Sequence, residues 1–180
     1  MQKKLIIFTD SGDTIIDEST EICDQDGIVI HAKMIPGAGE TLKAIHDAGY
    51  TIAMVADGDE QSFINVYEEN GLGHCFCTRT ISEIVGVQKP SEKMFQDAMD
   101  KNHLTDEDKK RVVMVGNNVR KDIGGANRFG ITSVLLDWSP RYDMTPADDW
   151  EKPDYIIHEP KELLPLIRKL EEQLGEDGKE

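Results

Sequence analysis

Short, unbroken apolar runs alternate along this chain with longer stretches whose apolar residues recur at helical spacing. The runs "KLIIFT" (4–9), "TIAMVA" (51–56), "RVVMVG" (111–116) and "TSVLLD" (132–137) are too short for helices and predict strands buried on both faces. "CFCT" (75–78) and "DYIIH" (154–158) predict two shorter strands. Between them, "PGAGETLKAIHDAGY" (36–50) opens on proline, sets Leu42 three residues before Ile45 and stops at Gly49, which predicts a helix. Residues 59–71 align Phe63, Val66 and Tyr67 on one helical face. Residues 91–103 start at a serine cap and align Met94, Phe95, Ala98 and Met99. Two further helices are predicted over 119–130, ending at Gly130, and over 160–175, where Pro165 bends or breaks the first turn.

Strands alternating with helices imply a doubly wound, Rossmann-like α/β fold around a parallel sheet, because parallel neighbours need a crossover. One segment, Ile15 to Lys33, lacks helical period; its β-rich halves flank "DQDG" (24–27), which predicts a β-hairpin flap just after the first strand. A single domain over 1–174 with an acidic, unstructured tail over 175–180 is expected. In open α/β sheets ligands sit beyond the carboxyl ends of the strands. Those ends here carry Asp10, then Ala56, Asp57 and Gly58, then Gly116 and Asn117, with Lys89 in a connection on the same side.

Charge narrows the partners. The formal net charge is −15, so the surface repels nucleic-acid backbones and anionic lipid, and neither nucleic acid nor membrane is an expected partner. The apolar run at the N-terminus is too short for a signal or a membrane span, and a cytoplasmic location is expected. The three cysteines, Cys23, Cys75 and Cys77, suggest no disulfide framework. "HCFC" (74–77) hints at a metal, but zinc would need a fourth ligand. The alternation reads instead as a strand with both thiols on one buried face.

The strand ends suggest chemistry. Asp10 closes a buried strand, a costly place for a carboxylate unless it is paired or metal-bound. There it can act as a nucleophile toward phosphorus. Two negative partners need a divalent cation between them, and Mg²⁺ suits oxygen donors such as Asp10, Asn117 and Asp122. Lys89 can hold the nucleophile and bind a phosphate oxygen. Backbone N–H groups near Ala56, Asp57 and Gly58 can receive an anion. Taken singly, each residue has an ordinary role as a turn former, cap or surface charge; their convergence in one crevice is what speaks for a site.

The sequence resembles the haloacid dehalogenase (HAD) superfamily of hydrolases. Its first motif, a strand followed by Asp-x-Asp-x-Thr, is matched by Asp10-Ser11-Gly12-Asp13-Thr14; the lysine motif by Lys89; the last motif by Gly116-Asn117 and Asp122. The resemblance runs from about residue 4 to about 170. It implies a flap-only member without a cap domain, Mg²⁺ held by Asp10, the Gly12 carbonyl, Asn117 and Asp122, and an aspartyl-phosphate at Asp10. A phosphorylated small molecule or phosphoprotein is the implied partner, and homo-oligomerisation would close the open site.

The departures leave two readings open. Gly12 replaces the acid that protonates the leaving group, Ala56 replaces a phosphate-binding hydroxyl, and Asn117 replaces an acid. One reading is a phosphatase of modest activity, the other a degenerate member that binds a phosphorylated ligand or a protein partner without turnover. A dehalogenase needs no leaving-group acid but favours a capped apolar pocket. A receiver domain fails on strand order.

Overall fold

The computed structural model describes residues 4–177. A parallel sheet of six strands runs in the order β5-β4-β1-β6-β7-β8, with β1 at Ile6–Thr9, β4 at Thr51–Ala56, β5 at Thr78–Ile81, β6 at Val112–Gly116, β7 at Thr132–Leu136 and β8 at Tyr155–Ile157. Strand order reverses at β1, which pairs in parallel with both β4 and β6. The crevice of an open α/β sheet forms at that reversal. Alternate residues of β1 face opposite ways: Ile7 joins one core, and Ile6 and Phe8 join the other. The doubly wound reading therefore holds.

Helices α1 (Ala38–Asp47), α2 (Glu60–Glu69), α4 (Glu92–Lys101), α5 (Gly124–Phe129) and α6 (Leu163–Asp177) flank the sheet, with a single turn α3 at Ser82–Val85. Asp59 caps α2 by accepting from the Ser62 N–H at 2.9 Å. Gly130 ends α5 in the left-handed region, φ 85°, where a side chain would strain. Pro165 sits in the first turn of α6, where its missing N–H has no intrahelical partner to lose, and the irregularity falls before it as a 3₁₀ turn at Pro160–Glu162. The helix continues through Asp177, past the Gly175 where the sequence reading ends it; the rest of the predicted tail, 178–180, lies outside the described residues.

The flap is an antiparallel pair, β2 (Ile22–Cys23) and β3 (Val29–His31). It folds back on α2 rather than projecting: the Val29 N–H donates to Ser62 Oγ at 2.8 Å, and Asn65 donates to the Val29 carbonyl at 3.0 Å. Among the described residues no extra unit is inserted between β4 and Lys89, so the fold is capless. None of their helices is long and apolar enough to cross a membrane.

Three further expectations need correction. The strand predicted over 75–78 lies at Thr78–Ile81, because its β-branched residues, not the Cys-Phe-Cys alternation, pair with β4. The thiols consequently do not share a buried face: Cys75 is buried in a 3₁₀ turn at Gly73–Cys75 and Cys77 is exposed. The helix predicted over 119–130 also divides. Its first part, Val119–Ile123, is a π turn, in which the Ile123 N–H reaches back to the Asn118 carbonyl at 3.2 Å.

Candidate active site

Asp10 follows β1 directly, its N–H donating to the Val115 carbonyl of β6 at 2.9 Å. Lys89 arrives from the β5–α4 connection and is buried to 3% exposure. Its Nζ donates to Asp10 Oδ1 at 2.8 Å, to Asp122 Oδ1 at 2.7 Å and to the Val55 carbonyl at 2.8 Å. Those bonds use every N–H the ammonium has. Burial alone would lower the lysine's pKa, but Asp10, Asp122 and Asp57 outweigh it and hold the ammonium protonated well above its usual range.

Asp122 is fully buried. Burial and the charge of Asp10 push its carboxyl up, against the pull of Lys89. The π turn sets it there: the Asn118 N–H donates to Asp122 Oδ2 at 3.0 Å, while the Asn118 side chain accepts from the Arg120 and Lys121 N–H groups. Such wide turns are frequent at functional sites. Gly116 makes room, since a Cβ on it would lie 2.3 Å from Asp122 Cγ. Its place in the last motif is thus a packing requirement.

The crevice is lined by Asp10, Gly12, Glu18, Asp57, Lys89, Asn117, Asn118, Lys121, Asp122 and Tyr142. Most of the predicted set is therefore gathered there, with changes in the anion-binding part. Ala56 is fully buried within β4 and does not line the crevice. The Gly58 N–H donates to Ser82 Oγ at 2.9 Å, so it is spent on the fold. Asp57 spends its carboxylate on the Lys89 N–H at 3.0 Å and on Lys121 Nζ at 2.9 Å. Lys121 is the partly exposed cation at the rim.

The sequence reading missed what stands over Gly12. A Cβ built on that glycine would lie 1.9 Å from Glu18 Oε1, so Glu18 occupies the volume an acid side chain at position 12 would fill. Glu18 opens a short 3₁₀ turn at the base of the flap. Its N–H donates to Asp13 Oδ1 at 3.2 Å, and its Oε2 accepts from Tyr142 Oη at 3.1 Å. Asp13, fully buried at φ 48°, accepts from Arg141 Nε on its other oxygen at 2.6 Å. Both Asp13 oxygens are thus taken up, one anchoring the backbone of Glu18 and one by Arg141. The Arg141-Tyr142 segment arrives from the β7–β8 connection, more than a hundred residues along the chain. Burial first, then the nearby Asp13 charge, raises the Glu18 carboxyl above its ordinary pKa, although the Tyr142 hydroxyl pulls it down.

The donor set fits a hard divalent cation. Among the crevice side chains there are four acids and two lysines, and Asn117 lines the same crevice. Asn117 is buried at 1% exposure, and its Nδ2 has no hydrogen-bond partner. Amide O and N are interchangeable in assignment, so the flipped side chain would offer an oxygen instead. Oxygen donors around excess negative charge suit Mg²⁺.

Residues 3–130 match the model of the haloacid dehalogenase-like hydrolases. The chain is 33% identical over 140 residues to the glyceraldehyde 3-phosphate phosphatase of Methanopyrus kandleri, covering 78% of this chain and 59% of that protein. It is 29% identical over 147 residues to the protein of the same name from Pyrococcus furiosus, covering 82% of this chain and 58% of the other. The chain thus spans less than two thirds of the length of these relatives. Among solved structures, a HAD phosphatase from Thermococcus onnurineus superposes with a TM-score of 0.71 at 16% identity, over 92% of this chain and 98% of that one. That level of identity speaks for the fold alone.

Proposed function

Because the chain belongs to the haloacid dehalogenase-like hydrolase family, we propose that this crevice hydrolyses small phosphate monoesters through an aspartyl-phosphate on Asp10. The observation that carries the reading is the Lys89 ammonium bridging Asp10 at 2.8 Å and Asp122 at 2.7 Å at the strand-order reversal. Lys89 holds Oδ1 of Asp10, which leaves Oδ2 to attack the phosphorus in line with the departing oxygen. Lys121 at the rim would meet phosphoryl oxygens, since Lys89 has no spare donor.

Glu18 supplies what position 12 lacks. Protonated, it gives its proton to the leaving alkoxide; the resulting carboxylate then takes a proton from the water that attacks the aspartyl-phosphate, which frees Asp10 and releases inorganic phosphate. Asp13, Arg141 and Tyr142 hold it in place. A Mg²⁺ ion would be held by Asp10, Asp122 and Asn117, with the Gly12 carbonyl as backbone donor, and supplies charge neutralisation between carboxylates and phosphate.

The organic part of the substrate would enter the adjoining cleft between flap and α2, lined by Gly12, Glu18, Glu21, Asp57, Asp59 and Phe63 among others. Its acids favour a neutral or cationic leaving group over a carboxylated one. The alternative of a ligand-binding protein without turnover is motivated by Gly12 and Ala56; Glu18, standing where an acid at position 12 would lie, favours turnover over it. Asp10→Asn should abolish Mg²⁺-dependent release of phosphate from a small phosphate ester; turnover unchanged by that substitution would refute the proposal.

A further inference from the structure

The sequence around "HCFC" is not absorbed by the catalytic reading, and the fold gives it a third donor. His46 sits in the last turn of α1, and His74 and Cys75 lie in the 3₁₀ turn before β5. One ring nitrogen of each histidine and the Cys75 Sγ all lie within 4.8 Å of one another. We propose that His46, His74 and Cys75 form a second metal site, for a zinc-class divalent transition cation, at the end of the sheet opposite the crevice.

The internal geometry suits such an ion. His74 Nε2 and Cys75 Sγ are 3.7 Å apart. With Zn–N about 2.0–2.1 Å and Zn–S about 2.3 Å, that separation corresponds to an N–Zn–S angle of roughly 116°, near tetrahedral. The two imidazoles meet edge to face with centroids 5.3 Å apart. His46 Nδ1 lies 3.2 Å from Asp47 Oδ1. Carboxylate partners of this kind orient metal-binding imidazoles, leaving the other nitrogen for the ion. Two nitrogens and one sulfur would leave a fourth position for water.

The donor types also separate this site from the crevice. Imidazole and thiolate select zinc-class ions, whereas the crevice offers only oxygen donors, suited to Mg²⁺. The two lie at opposite ends of β4, a strand of six residues that spans roughly 20 Å. The thiolate is the metal-binding form, so uptake replaces the thiol proton: the S–H bond breaks, a metal–sulfur bond forms and a proton leaves to solvent. The ion would bridge α1 and the α2–β5 connection where His46 and His74 already meet.

The test titrates Co²⁺ into the full chain, stripped with chelator and then held in excess Mg²⁺ so that the oxygen-donor crevice is saturated. The expected result is one equivalent bound, with a near-ultraviolet thiolate-to-cobalt charge-transfer band and visible bands of four-coordinate strength, all displaced by Zn²⁺. The charge-transfer band should vanish in Cys75→Ser, persist in Cys23→Ser and Cys77→Ser, and need about tenfold more Co²⁺ or greater in His46→Gln. If Cys75→Ser fails to fold, His46→Gln and His74→Gln, which alter side chains in contact with solvent, carry the test. No thiolate band in the wild-type chain, or an undiminished band in Cys75→Ser or in both histidine variants, overturns the site. The readout involves no turnover, so its failure is distinct from failure of the phosphatase reading.

Discussion

Replacing Gly12 and Glu18 singly and together isolates the claim that a flap residue does the work of the missing acid. Glu18→Ala removes the carboxylate whose Oε1 lies 1.9 Å from the place of a Cβ on Gly12. A general acid–base group contributes about 10²–10⁴-fold, so turnover of an alkyl phosphate should fall by that factor. Gly12→Asp restores an acid at the family's usual position. Gly12 is not among the positive-φ glycines, so its backbone accepts a side chain. The atoms nearest that Cβ all belong to the Glu18 side chain, so an aspartate at position 12 requires the Glu18 carboxylate to leave Arg141 and Tyr142. In that background, Glu18→Ala should cost little. The coupling between the positions should then be about 3–5 kcal/mol, the same rate factor expressed as a barrier. The assay compares an alkyl phosphate with p-nitrophenyl phosphate, whose leaving group needs no proton. With the aryl ester, Glu18→Ala should keep its first-turnover burst and lose steady-state rate, because water activation still fails. Wild-type turnover of the alkyl ester by Glu18→Ala, or an equal loss with and without Asp at position 12, would refute the reasoning.

Other outcomes follow from the same geometry. Gly116→Ala drives a methyl to within 2.3 Å of Asp122 Cγ; it should destabilise the fold by about 1–3 kcal/mol in denaturant titrations and lower turnover more than stability, since Asp122 must shift. Burial raises the Glu18 pKa in the folded state, so the native protein binds that proton more tightly than the unfolded chain and loses stability as pH rises from the unfolded value of about 4.3 through the folded one. Glu18→Gln should therefore unfold at a higher temperature than wild type at neutral pH, with the gain fading below about pH 4, even as it turns over more slowly. In steady-state kinetics, kcat/KM should favour glyceraldehyde 3-phosphate over phosphoglycolate, because Glu21 and Asp59 line the cleft for the organic part; the reverse preference would place that part elsewhere.

The fold was largely legible because buried parallel strands leave unbroken apolar runs, and the helices between them carry period and glycine stops. The strand at Thr78–Ile81 was misplaced because its alternating Thr and Arg look like surface, while Thr80 is buried through a hydrogen bond to Asp97 at 2.7 Å. Asp10, Lys89, Asn117 and Asp122 were readable because strand ends and motif spacing bring them together. Glu18, Arg141 and Tyr142 were not, because their meeting depends on how the flap and a distant loop fold over Gly12. The sequence did hold one signal, an acid soon after a motif that lacks one. The Gly58 N–H was overestimated because Ser82, which takes it, belongs to a turn that local pattern does not reveal.

The most direct measurement of the central claim is mass spectrometry of the enzyme acid-quenched during turnover with Mg²⁺ and a phosphate ester. The account predicts one added phosphoryl group, mapped to the peptide bearing Asp10, absent in Asp10→Asn and more abundant in Glu18→Gln when an aryl ester lets the first step proceed. Steady turnover with no phosphorylated peptide, or a phosphoryl group on any other residue, would contradict it.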